Sequence, residues 1–476
     1  MNSTTYSAIP VNPSIELQPQ DLSLGPQREN TNWVAIKNLS SIEDHEEDDF
    51  PLILEETKDG SGIPGAVFNL STTVIGAGIM ALPATMKVLG VPLGFAVIIL
   101  MGIVSEISIE ILVKFSALKN ASSYGDIIEF ACGHGTRVIS DLCIIIGNGG
   151  ILVVYLIIMG DVISGSSEHL GVLEQLLGGE GWWNNRKLIV LIILVIVLAP
   201  LCALEKIDSL SLSSAASVAL AVIFVIVACV IASMKLIEGK IETPRMVPNV
   251  ASKQAILDLL VVIPIMTNAY VCHFNVPPIY NELSGRSPQK MNKVGRITAL
   301  LCVVVYALTA TSGYLLFGEK TDSDVLANFD KDLGIPFSSI LNYIVRIGYV
   351  LHLMLVFPVV HFSLRQTVDS LAFKRLGPLS ESRKRSLVLT MVLLALTYVG
   401  STMIPNIWVA FKFTGATTGL SVGFIFPSLV ALRLDRQGKV LGHGERMLSW
   451  SMLTLALVVS VIGVIGNVYG MKGHSD

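Results

Sequence analysis

The sequence predicts an all-α polytopic membrane protein of eleven transmembrane helices, the first and sixth of them broken. Three observations predict it. The 476-residue chain is 52% hydrophobic and 15% charged with a mean hydropathy of +0.66, which a water-soluble globule does not sustain. Apolar runs of about 20 residues, the length a helix needs to cross a bilayer, recur between polar loops from residue 66 onward. Two of these runs, five spans apart, carry glycines or prolines where lipid offers nothing to satisfy an opened backbone.

The elements follow in chain order. Residues 1–60 are rich in Ser, Asn, Pro, Gln and acid, end in "IEDHEEDDFPLILEE", and read as a disordered acidic cytosolic tail with no apolar core of a signal peptide. Within it Asp48, Leu52 and Ile53 have the spacing of an acidic dileucine sorting motif, which would engage a sorting adaptor; a solvated acidic tail is the plainer alternative. The spans are expected over 66–90, 92–116, 137–160, 187–204, 210–236, 254–280, 293–317, 338–364, 386–405, 407–433 and 447–470, within a membrane domain covering 61–476.

Positive charge orients them. The loops after spans 2, 4, 6, 8 and 10 hold 18 Lys and Arg with their span edges, against 10 in the remaining loops and the C-terminal tail. This favours a cytosolic N-terminus, although loop 236–253, with Lys240, Arg245 and Lys253, dissents. The net charge of −4 gathers in the tail and a few loops, and no basic face suggests nucleic acid. All six cysteines lie in or beside spans and read as small apolar fillers.

The first span reads "AVFNLSTTVIGAGIMALPATM" (66–86), with Thr72 and Thr73 before its Gly76-Ala77-Gly78 centre. Glycine lets a chain leave helical geometry without steric penalty, so the second half restarts with free N–H groups near Gly78 and Ile79, where the dipole suits a carboxylate. The sixth span ends in "PIMTNAYVCHFNVPPIYNEL" (264–283), where unwound carbonyls over Asn268, Ala269, Tyr270 and Cys272 would face a cation such as an ammonium. Interrupted helices at matching places in two halves point to a transporter binding site, here one the size of a zwitterion. Either break alone reads equally well as a packing kink.

These residues also carry a resemblance. "AYVCHFNVPPIYNEL" (269–283), "FNLSTTVIGAGIMALP" (68–83), "GYLLFG" (313–318) and the spacing of Arg346, Pro358 and Arg365 resemble the amino acid/auxin permease family from about residue 62 to 470, closest to its plant and fungal vacuolar amino-acid transporters and the related animal sodium-coupled neutral amino-acid transporters. The resemblance implies a LeuT-like fold of two inverted five-helix repeats, 66–236 and 254–433, plus an extra helix at 447–470. It implies secondary transport of amino acids by alternating access, at a vacuolar or other cellular membrane. In the sodium-coupled relatives span 1 has Asn-Leu-Ser-Asn where this chain has Asn69-Leu70-Ser71-Thr72, and span 8 has threonines at the places of Met354 and Val356. Sodium wants oxygen ligands, so these replacements favour sodium-independent transport with protons as the coupling ion.

Ionisable groups at membrane depth are functional candidates. Glu106, His273, Arg346 and His352 are the proton-coupling or gating set, with Glu110 and Lys412 nearby in the pattern and Glu106 or Asp161 the expected partners of Arg346. His352, among leucines, reads either as a satisfied core histidine or as the proton-coupling group. His273 is expected to donate to carbonyls freed in the span 6 break. A sensor that binds an amino acid and signals through the tail competes with the transporter reading. No metal cluster, nucleophile elbow or phosphate loop supports an enzyme, and the reading calls for neither cofactor nor metal.

Overall fold

The computed structural model describes residues 60–472 apart from 167–168, 179–180, 206, 331–332, 375, 405–410, 412 and 439–440, so the expected sorting motif at Asp48, Leu52 and Ile53, and Lys412, lie outside the described residues. Apart from two isolated bridges the described residues hold no strand. Among the described residues nine helices are long and apolar enough to cross a membrane, from Val91–Lys119 to His443–Val468, or ten with the bent pair Ile63–Val74 and Gly78–Leu89 taken as one span. The place of the expected span 4 is taken by a shorter rod, Arg186–Ile193, a π-helical turn Leu194–Leu198, and Ala199–Cys202. Two further helices fall between spans. Tyr124–Cys132 starts at a capping box in which the Ser123 hydroxyl accepts from the Asp126 amide and the Asp126 carboxylate accepts from the Ser123 amide. Val172–Leu177 lies in the loop after span 3.

Spans 1 and 6 meet at one end. Ser61 donates its amide to the Glu282 carbonyl at 3.0 Å and Ser284 donates to the Ser61 carbonyl at 3.0 Å. From that clasp the span 1 interruption lies at 75–77 and the span 6 interruption at 271–272, which puts both about 20 Å along their helices at 1.5 Å per residue. The two breaks are therefore level. Span 1 bends by 57° at its break. Span 6 is interrupted at Val271 (φ −75°, ψ 113°) and Cys272 (φ −135°, ψ 3°) and resumes as a 3₁₀ turn, His273–Asn275, then Val276–Asn281.

The prolines act differently from one another. Pro264 sits inside the continuous helix Lys253–Tyr270, whereas Pro277 and Pro278 open the second half, where a missing N–H costs nothing. At the opposite end from the clasp, the segment around 318–330 folds over span 1: Val325 donates its amide to the Met80 carbonyl at 3.1 Å, and Lys87 Nζ reaches the Thr321 carbonyl at 2.7 Å.

Candidate functional site

Small residues bring the two breaks together. A Cβ added at Gly78 would lie 2.9 Å from Ala269 Cα, and one at Gly76 would lie 2.0 Å from Tyr155 Oη. The backbone groups released at the breaks do not meet water. Tyr349, from span 8, donates to the Gly76 carbonyl at 2.7 Å. Tyr155, from span 3, has its hydroxyl beside the Ala77 backbone and interacts with it. Tyr306, from span 7, lies 2.6 Å from the Val74 carbonyl and 2.7 Å from the Ala269 carbonyl. All three tyrosines are buried.

The threonines of span 1 face two ways. Thr72 Oγ1 donates to the Ser214 carbonyl of span 5 at 3.0 Å. Thr73 Oγ1 donates to the Asn69 carbonyl at 2.9 Å and accepts from Asn275 Nδ2 at 2.9 Å, tying span 1 to the resumed half of span 6. The expected span 6 side chains turn away from the centre. Asn268 reaches Thr414 Oγ1 at 3.4 Å. Tyr270 donates to the Ile98 carbonyl of span 2 at 3.0 Å while its own carbonyl accepts from Ser105 at 3.3 Å. Cys272 is fully buried and its carbonyl closes the 3₁₀ turn through the Asn275 amide at 2.9 Å. Of these residues it is the Ala269 carbonyl that faces the span 1 break.

The ionisable candidates separate. His352 is fully buried between spans 5 and 8, with Nδ1 2.8 Å from the Ser217 carbonyl and 2.9 Å from the Ser217 hydroxyl. Its ring also interacts with the backbone of Ile75 in the span 1 break, and its Nε2 makes no hydrogen bond of full geometry. His273 packs edge-on against Phe424 with centroids 6.0 Å apart and interacts with the Ser105 backbone in span 2, and neither ring nitrogen makes a hydrogen bond of full geometry. It does not donate to the break carbonyls as expected, because the 3₁₀ turn carries it round to the face of span 2.

Arg346 also differs from expectation. It donates to Gln175 Oε1 at 3.2 Å, the Val162 carbonyl at 3.2 Å and the Leu170 carbonyl at 2.5 Å, all in span 3 and the loop that follows it. Glu106 pairs instead with Arg296 at 3.2 Å, shared with Glu110 at 2.5 Å, and Asp161 pairs with Arg186 at 2.6 Å. Arg346 is thus a latch on the loop after span 3, close to the His169–Asp330 pair at 2.9 Å.

A line of cavities approaches the breaks from the end that carries the clasp. A cleft of about 390 Å³ opens beside Asp126, Arg137, Glu205, Arg365 and Asp369. It shares Ser123, Gln366 and Ser370 with a cavity of about 20 Å³ that reaches Asp141, Ile144, Phe274 and Pro278. Ile144 and Phe274 in turn border a cavity of about 10 Å³ beside Asn268.

Residues 59–471 match the family described as transmembrane amino acid transporter protein. The chain belongs to the transmembrane amino acid transporter family. Among this family's members it is 66% identical over 429 residues to a protein named Amino acid transporter AVT6E from Arabidopsis thaliana, covering 90% of this chain and 88% of the relative. It is 45% identical over 416 residues to Amino acid transporter AVT6A from the same plant, covering 87% and 89% of the two chains. A Na+-coupled sialic acid symporter, solved substrate-bound and outward-open, superposes with a TM-score of 0.54 at 11% identity over 92% of this chain and 95% of that one. That likeness establishes the fold, LeuT-like with broken first helix, and the family is one of transporters rather than enzymes. The resemblance drawn from the motifs of spans 1, 6, 7 and 8 therefore holds.

The contact between the breaks contains residues that the motifs did not reveal. Tyr155, Tyr306 and Tyr349 were legible only as tyrosines at the middle of apolar spans, where the hydroxyl must find a partner, rather than at the interface belts that tyrosine prefers.

Proposed function

We propose that this protein is a secondary active amino-acid transporter working by alternating access, proton-linked and independent of sodium, in a vacuolar or other endomembrane with its N-terminus cytosolic. The observation that carries the proposal is the level, close-packed pair of breaks in spans 1 and 6. Between them lie the Ala77 amide at the start of a new helix and the Val74 and Ala269 carbonyls. An α-carboxylate suits the first and an α-ammonium the others.

Alternating access is supported by the asymmetry of the two ends. The 318–330 segment and the Arg346 latch close one end, and the string of cavities leads in from the other. The proposed repeats are 66–236 and 254–433, with 447–470 as the extra helix.

Proton linkage is assigned to His352. A neutral imidazole donates from one nitrogen, and Ser217 occupies Nδ1. Protonation gives Nε2 a proton to donate toward the Ile75 backbone, so a bound proton would tie the span 1 break to spans 5 and 8. Met354 and Val356 supply no oxygen for a sodium ion on the same helix.

The test is a panel of labelled amino acids offered to proteoliposomes, with pH and sodium gradients imposed separately. Uptake driven by the pH gradient and indifferent to sodium is expected. Sodium-driven uptake overturns the coupling assignment, and binding without flux turns the protein into a sensor.

A further inference from the structure

The three tyrosines at the breaks differ in how many groups each must serve. Tyr349 serves one carbonyl, that of Gly76, and Tyr155 stands beside the backbone of one residue, Ala77. Tyr306 faces two carbonyls, Val74 in span 1 and Ala269 in span 6, at 2.6 and 2.7 Å. A hydroxyl has one proton to give. No backbone amide among the described residues closes onto either oxygen. The two carbonyls must therefore share one proton, in a buried spot.

Packing holds the ring in this place in the empty protein. It packs edge-on against Tyr270 with centroids 5.0 Å apart, and Tyr270 is itself held by the Ile98 carbonyl. An ammonium group carries three N–H donors and could satisfy both oxygens at once. Without any donor, two carbonyl dipoles on separate spans would face each other and push the breaks apart.

We infer that Tyr306 is a positioning residue for the return of the empty carrier: its hydroxyl stands between the two breaks in place of the substrate's ammonium and yields when an amino acid arrives. This rests on the transport reading above. Net uptake requires the empty protein to reorient in every cycle, whereas exchange of amino acid for amino acid lets it cross loaded both ways. A hydroxyl needed to hold the empty breaks together matters to the first and not to the second.

The experiment compares wild type with Tyr306→Phe in proteoliposomes, using a mixture of all twenty labelled proteinogenic L-amino acids as the probe. Net uptake into vesicles free of amino acid should fall by about tenfold, the scale of one lost hydrogen bond, while exchange into vesicles preloaded with the unlabelled mixture stays within about twofold. Equal loss of both, or loss of neither, overturns the inference. A wild type that moves nothing in either mode defeats the transport reading beneath it. A second measurement keeps the hydroxyl, so the fold is not at stake: 3-fluorotyrosine at position 306, followed by fluorine NMR. The unlabelled mixture should shift the resonance and the same mixture N-acetylated should not; a resonance unmoved by free amino acids overturns the inference.

Discussion

Gly78→Ala perturbs the place where the two broken spans approach most closely. The added Cβ would sit 2.9 Å from Ala269 Cα and 3.0 Å from Ala269 Cβ. Carbon atoms rest about 3.5–4.0 Å apart, so the spans must separate by roughly 0.5–1 Å. The obstruction on one side is backbone and cannot swing aside. Overpacking of this kind costs about 1–3 kcal/mol, or roughly 5- to 150-fold in the population of the close-packed site.

The assay is uptake into proteoliposomes, with thermal unfolding of the purified protein beside it. Uptake efficiency should fall within that range, chiefly through a raised KM, because the cradle is widened. Gly149→Ala in span 3 is the control, since a Cβ there meets nothing within 4 Å and alanine favours the helix by about 1 kcal/mol. Unchanged KM and maximal rate in Gly78→Ala would refute the reasoning that the breaks must touch to bind.

Three other perturbations have definite outcomes. His352→Ala should lower uptake at pH 5.5 and change its pH dependence, and an unaltered pH profile removes this histidine from coupling. Thr73→Val leaves the Asn275 amide without its acceptor and should lower stability by about 1–3 kcal/mol, read as a fall in the unfolding midpoint of purified protein. Asp324, in the segment that covers span 1, has its carboxyl pushed up to about 6, first by burial and further by the Asp161 and Asp322 charges, against the Leu326 amide and His169 that draw it down. Its folded value lies above its unfolded one, so the folded segment binds the proton more readily and gains stability as pH falls from 7 toward 4. Amide exchange over 321–330 should slow by up to about tenfold from pH 7 to pH 5 after correction for intrinsic rates, and Asp324→Asn should abolish the difference.

The fold was largely readable because a membrane imposes a length and a composition on each crossing. Gly76-Ala77-Gly78 marked the span 1 break to within a residue, since glycine lets the chain leave helical geometry there. The span 6 break was harder. Pro264 was expected to contribute and does not, because the Lys253–Tyr270 helix runs on through it and opens only at Val271.

The site was half legible. The backbone groups of Gly76, Ala77, Gly78 and Ala269 could be named from the breaks alone. The side chains that meet them could not, since an apolar run does not say which of its faces turns inward. Tyr306 is one of six hydroxyl side chains in a 30-residue helix, Pro288–Phe317, and only the packing of spans 6 and 7 aims it. The partners of Arg346 were hidden for another reason. Two of the three are carbonyls, Val162 near the end of span 3 and Leu170 in the loop after it, and a carbonyl has no signature in the sequence.

The central claim is that the two breaks together hold the ammonium and carboxylate of a free amino acid. Competition against uptake of the labelled amino-acid mixture tests it directly, using unlabelled amino acids, their N-acetyl derivatives and their methyl esters in proteoliposomes. Free amino acids should compete, and blocking either end should abolish competition. Equal competition by the blocked compounds would contradict the account.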